Sequence, residues 1–425
     1  FFQAEDGIRC LVRSRGLGDV YKRQLYNLLD SLFSLISTLP PEYEKYLIYI
    51  PFFVIALILS FLLVPIIGYF GERNSILDLP KEERNRKNYL NKFDNAGRHI
   101  HKNPTPLLGG LAPLLPVLLY LTLSPKSSIT IPLVMSLSIL IIVGFLDDKY
   151  NLSPKIQLSA QLIAALIIVF SKIDLAFINN PLTGGIINLN WTSLSISNGL
   201  FPISLTFPGD TILVGWIILC TNAMKWVGGT DGLLDGISFI AYLFLFLIGI
   251  RTGSFDVTVI SIIMAGGILG LLIYNYHPAF IFDGAIGKTT FGFLIATLAI
   301  INGAKLATTM IILTIPVIDA FVVLVNRYKA HKPRNFLELM KINDTTHLHH
   351  NLLNMGLSHT QVFLVEVSIQ LVVSAIGVLT AGAVKLFFML IFAALVTTSL
   401  FLVKKFGDEI NRKKPPETPE SKYSY

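Results

Sequence analysis

The feature that most constrains this chain is a series of apolar runs, each close to the length that crosses a bilayer. They fall near 46–70, 107–123, 129–146, 156–173, 211–227, 233–250, 257–276, 289–304, 306–326, 361–382 and 385–403. At 1.5 Å of rise per residue, a helix needs about 20 apolar residues to span the hydrocarbon core. Several runs are shorter or interrupted by Gly and Pro, which a bundle tolerates where neighbouring helices cover the backbone. Composition agrees: 53% of residues are apolar, 14% are charged, and mean hydropathy is +0.64. Soluble domains carry roughly 25% charged residues. The sequence predicts an all-α, polytopic membrane bundle of about eleven transmembrane helices. It excludes disordered and collagenous chains, and two cysteines, Cys10 and Cys220, make no disulfide framework.

Both ends differ from the middle. Residues 1–24 contain no apolar core for a signal peptide and change composition abruptly at Leu25. They read as translated sequencing-adapter sequence, with a polar arm as the alternative, so the membrane domain is expected over 25–403. The tail 404–425 is rich in Lys, Pro, Glu and Ser and is expected to be a disordered basic arm.

Lys and Arg settle the expected orientation. Loops taken alternately after the first span hold 23 of them in one set; the other holds Lys126, Lys172, Arg251, Lys305 and Lys385. The basic set is expected to face the cytoplasm, with the C-terminus there too. The formal net charge of +7 is therefore a topology signal, and a nucleic-acid partner is not expected.

Polar side chains gather in the loops of that same set. Asp147 and Asp148 interrupt an apolar run; Asp231 and Asp235 sit in a Gly-rich turn; Asn275, His277 and Asp283 share a third loop; His347, His349 and His350 share a fourth. Each alone has a bland reading, as an interface marker, a tight turn or a basic patch. Ionisable residues at membrane depth are costly and mark functional sites. Four clusters on one face imply a cytoplasm-facing cleft for a charged substrate. Gly284-Ala-Ile-Gly287-Lys288-Thr289 is too short between its glycines for a phosphate loop. Carboxylates there suit a hard cation such as Mg²⁺, and His and Lys suit phosphate oxygens. That mixture fits phosphoryl transfer to a lipid.

At this point the residues resemble a known family. His101-Lys102-Asn103-Pro104-Thr105-Pro106, Gly144-Phe-Leu-Asp147-Asp148 and Asn222-Ala are followed by Asp231-Gly232-Leu-Leu, Tyr274-Asn275, Pro278-Ala279 and Pro316-Val-Ile-Asp319. With Asp344-Thr-Thr-His347-Leu-His349-His350, the ordered set resembles the polyprenyl-phosphate N-acetylhexosamine-1-phosphate transferases. That superfamily includes the phospho-N-acetylmuramoyl-pentapeptide transferases, and the resemblance covers roughly 45–403. It implies an integral plasma-membrane enzyme that moves a sugar phosphate from a UDP-sugar to polyprenyl phosphate and releases UMP. The catalytic aspartates map onto Asp147 and Asp148, the loop lysine onto Lys102, and donor-binding residues onto Asp231, Asn275, His347, His349 and His350. The spaced His-Leu-His-His leans toward a UDP-N-acetylhexosamine donor. A homodimer is compatible with the family.

The chain departs from the family pattern around the expected Mg²⁺ site. Lys225 replaces an Asn, Gly228 replaces an Asp, Ala285 stands where the metal-binding Asp belongs, and Lys288 replaces a Ser. Losing ligands and adding positive charge should weaken cation binding. Three readings stay open. Asp283 and Asp235 supply ligands from shifted positions, although a two-residue shift ordinarily points a side chain elsewhere; Lys225 or Lys288 substitutes for the cation; or the chain is an inactive relative that binds lipid or nucleotide as a scaffold. A transporter is the rival class, for which only Asp319 and Glu366 lie well inside apolar runs.

Overall fold

The computed structural model describes residues 46–79, 104–124, 127–171, 173, 175–180, 183, 185–197, 202–301, 309–310, 312–335, 338–339, 342, 346–380 and 382–413. Two compact units divide the chain, Phe1–Pro51 and Phe52–Tyr425. Of the first, only 46–51 are described, and they are largely helical. Residues 1–24, Lys102, Asp344 and 414–425 lie outside the described residues.

The described residues form long helices: α1 (Tyr49–Arg73), α2 (Leu111–Leu123), α3 (Thr130–Tyr150), α4 (Pro154–Phe170), α5 (Gly209–Val227), α6 (Leu233–Thr252), α7 (Phe255–Asn275), α8 (Gly284–Ile301) and α9 (Thr314–His331). A short α10 (Leu348–Asn354) precedes α11 (His359–Leu379) and α12 (Gly382–Lys413). Six of them, α1, α3, α6, α7, α8 and α11, are long and apolar enough to cross a membrane. The chain is therefore an all-α polytopic membrane protein. Every expected span overlaps a helix, but a count of eleven crossings is not established: α2, α4 and Gly382–Thr398 are shorter apolar helices. α5 and α9 are interrupted by Asp210 and Lys225, and by Asp319 and Arg327.

Helix ends follow local chemistry. Ser358 and Gln361 form a reciprocal capping box at the start of α11. Pro154 opens α4, where its missing N–H costs nothing. The backbone of α12 continues through 404–413, past the expected boundary at 403, because Lys, Glu and Arg are good helix formers.

The centre is made by α6, α7 and α8, most of whose residues are buried, whereas α1, α3 and α11 are largely exposed to surroundings that must be lipid. Glycines bring helices into backbone contact: a Cβ on Gly266 would lie 2.3 Å from Phe53 O, and one on Gly270 2.6 Å from Leu57 O. This seats α7 on α1 by small residues, as membrane bundles do without a hydrophobic driving force. Tyr242 of α6 donates to Phe291 O of α8 at 2.9 Å, satisfying a buried hydroxyl.

Long and rich in Asn, Gly, Pro and Ser, residues 174–210 read from the sequence as ordinary surface turns, yet those described form two antiparallel pairs. β3 (Phe177–Asn179) pairs with β4 (Ile186–Asn188), and β5 (Asn190–Ser197) pairs with β6 (Pro202–Pro208). The Leu194-Ser-Ile-Ser alternation has the period of a strand, and the Asn and Gly around it mask that signal.

Candidate active site

Two short strands and three helix ends build the site. β1 (Leu77–Asp78) pairs with β2 (Thr105–Pro106). The chain after β2 then runs beside the loop entering α8: Phe282 N donates to Pro106 O, and Gly109 N to Phe282 O, at 2.9 and 2.8 Å. The family-like Pro104–Gly110 segment is thus laid against Asp283, although Lys102 itself is not described.

Asp147 and Asp148 close α3, and their roles differ. Asp147 Oδ1 accepts from Leu152 N and from Gln157 Nε2, each at 2.8 Å. Lys225 Nζ of α5 donates to Oε1 of the same Gln157. Asp148 Oδ1 accepts from Ala285 N, 2.7 Å away, at the first turn of α8. An anion there is favoured by the exposed N–H groups and the helix dipole. Its Oδ2 is buried without a hydrogen-bond partner. Gly284 makes the approach possible: its φ is +65°, and a Cβ would stand 2.4 Å from Asp148 Oδ2.

A second carboxylate pair lies beside the first. Asn275 Nδ2 donates to Asp235 Oδ2 at 2.8 Å and to Asp283 Oδ2 at 3.1 Å. The shifted positions therefore do not point their side chains apart; one amide gathers both. Each leaves Oδ1 buried without a hydrogen-bond partner. Burial pushes the Asp283 carboxyl above the usual carboxylate range. Lys288 interacts electrostatically with Asp147, Asp148 and Asp283, so one ammonium serves both pairs.

The Gly-rich turn faces both. Lys288's stem lies against Gly228, where a Cβ would meet its Cε at 2.8 Å. A Cβ on Gly229 would lie 2.3 Å from His349 Nε2, so the histidine segment packs onto this turn. Asp231 Oδ2 accepts from Ala279 N at 3.2 Å and pairs with His277 Nδ1 at 2.7 Å. The His277 ring stacks on His359.

The three histidines of the fourth loop are not equivalent. His347 caps α10 with its ring buried: Nδ1 lies 2.7 Å from Asp319 Oδ2, and Arg327 Nη2 lies 3.5 Å from Nε2. Asp319 Oδ1 also accepts from Leu348 N. The buried Arg327 guanidinium stands 5.2 Å over the Trp226 ring. His347 is thereby a fastening between α9, α10 and the end of α5, while His350 remains half-buried. Sequence reasoning assigned Asp319 no place in the site, treated Arg327 as a loop charge, and passed over Gln157, Trp226 and His359. A lone Arg near the end of an apolar run was the available signal for the second.

The family position for Mg²⁺ does not fit an ion. Neither Gly228 nor Ala285 offers a side-chain oxygen, and Lys288 lies against the first. Among the described residues no group of three or more acidic, His or Cys side chains is arranged to hold a metal. An apolar groove of about 390 Å³ along α1 and α2 shares no residue with this network.

Residues 130–303, which contain Asp147, Asp148, Asp231, Asn275 and Asp283, match the sequence model "Glycosyl transferase family 4". The match spans 174 of the 425 residues and makes this stretch similar to that family. The matched region ends short of the histidine segment. The chain is 27% identical over 321 residues to the "Probable undecaprenyl-phosphate N-acetylglucosaminyl 1-phosphate transferase" of Bacillus subtilis (strain 168), covering 74% of this chain and 79% of that protein. It is 33% identical over 215 residues to a phospho-N-acetylmuramoyl-pentapeptide-transferase of Clostridium botulinum (strain Eklund 17B / Type B), covering 49% and 64%. A decaprenyl-phosphate N-acetylglucosaminephosphotransferase of Mycobacterium leprae (strain TN) is 26% identical over 369 residues, covering 78% and 82%.

Proposed function

We propose that this protein transfers a sugar phosphate from a UDP-sugar to polyprenyl phosphate in cell-wall or surface-glycan synthesis. A lipid phosphate oxygen attacks the sugar-bearing phosphorus, the bond to UMP breaks, and UMP leaves. The observation that carries this reading is the union of the α3 and α8 ends: Asp148 on Ala285 N, with Lys288 beside it. Both longer alignments are to proteins named for N-acetylglucosamine as well as for undecaprenyl or decaprenyl phosphate, which favours an N-acetylhexosamine donor.

Roles follow from which atoms are already engaged. Asp148 Oδ2 is buried without a hydrogen-bond partner and is the better base or orienter for the lipid phosphate; Asp147 is held by Gln157. Lys288 and Lys225 offset phosphate charge as point donors. Asp231, Asn275 and His350, with Lys102, bind the donor, and His349 and His347 hold the histidine segment over the turn. The site is assigned to the cytoplasmic face on the distribution of Lys and Arg. No step is assigned to Mg²⁺, because the residues at its family position do not suit it.

The test is incubation of purified protein with radiolabelled UDP-N-acetylglucosamine and undecaprenyl phosphate. Labelled lipid and UMP are expected. The lost carboxylates at 228 and 285 favour a second reading, a binding scaffold. Nucleotide bound but unconverted across a UDP-sugar panel, with and without Mg²⁺, would establish it instead.

A further inference from the structure

The segment joining α4 to α5 lies at the ends of those helices remote from the site. α4 starts three residues after α3 ends beside Asp148, and runs about 25 Å away. α5 returns to place Lys225 on Gln157. Between Leu175 and Gly209 the sequence has no Asp, Glu, Lys, Arg or His. A connection bathed in water would carry charge at ordinary frequency.

The β5–β6 register sorts this uncharged stretch by face. Thr192↔Phe207 and Leu194↔Leu205 share one face, and Ser193↔Thr206 lies on the other. A hairpin of a water-soluble protein turns its apolar face onto a core. Here Leu194 is 60% exposed and Phe207 56%, with Trp191 71% exposed at the irregularity between Asn190 and Thr192. The hairpin base is fastened to the end of α5: Gly209 N donates to Leu189 O, and Thr206 N to Asp210 Oδ2. The open face therefore starts at the level of the helix ends and continues the exposed Phe170 of α4 and Ile212 of α5.

We propose that the β5–β6 hairpin lies on the bilayer face opposite the candidate site, with Leu194, Phe207 and Trp191 seated in the lipid head-group region. Lipid is the occupant that the geometry favours over a second copy of the chain. The face is continuous with lipid-facing helix surface, it lacks any charge that would pair with a partner, and a tryptophan stands where interfacial anchors are enriched. This inference does not depend on the transferase reading.

The test uses the full chain in proteoliposomes. Trp191 emission, taken as the difference between wild type and Trp191→Phe, should be strongly quenched by phosphatidylcholine brominated high on its acyl chains. Cysteines are then placed on opposite faces, Leu194→Cys and Ser193→Cys, in a Cys10→Ser background that leaves the buried Cys220. A polar maleimide should modify position 193 and spare 194. Equal reactivity at the two positions, high or low, would overturn the proposal. So would protection of 194 without bromolipid quenching, which would assign the face to a second copy.

Discussion

At the residue scale, two buried acids carry predictions of different kinds. Asp319 holds both His347 and the first turn of α10. Asp319→Ala leaves a buried donor unpaired, which costs about 1–3 kcal/mol. Thermal unfolding in detergent should show that loss, and UDP binding should fall because the histidine segment is released. Asp283 has its folded pKa raised by burial. The stability it contributes is complete below its unfolded pKa of about 3.9 and is lost as pH rises through the folded value. Asp283→Asn should therefore gain in melting temperature over wild type as pH is raised from about 4 to about 7. Parallel melting curves across that range would show that the carboxyl is not the titrating group.

At the element scale, the N-terminus of α8 depends on Gly284. Ala there meets both a positive φ and an atom 2.4 Å away on Asp148. Gly284→Ala should lower stability by about 1 kcal/mol or more and reduce transfer at least tenfold by displacing Asp148; unchanged turnover would remove Asp148 from the reaction. The helices themselves were legible in the sequence because apolar length is a strong, local signal. The Asp pairs were legible because charge interrupts such runs. What could not be read is pairing across distance. Nothing in the spacing of Asp235 and Asp283 says that Asn275 bridges them, or that Arg327 packs over Trp226. The β5–β6 strands were hidden by the Asn and Gly around their alternation.

At the scale of the whole molecule, four departures from the family pattern behave as one change. Lys288 rests where a side chain at 228 would stand, so Gly228 and Lys288 are sterically linked. Lys225 is tied through Gln157 to Asp147, so it is linked to the aspartate pair at the end of α3. An ammonium offsets phosphate charge as a point donor, but it cannot bridge several oxygens as an octahedral cation does. Transfer by the unmodified protein should therefore be slow and little affected by chelator. Restoring Gly228→Asp, Ala285→Asp and Lys225→Asn alone would crowd Lys288 and leave its charge against the new carboxylates. Adding Lys288→Ser clears the space and should raise turnover and create Mg²⁺ dependence together. Calorimetric titration with Mg²⁺ in the absence of substrate should show binding to the fourfold variant and none to wild type. Strong chelator sensitivity of the unmodified protein would mean that Asp235 and Asp283, with their unpartnered oxygens, hold the ion, and the lysine substitution would be the wrong account.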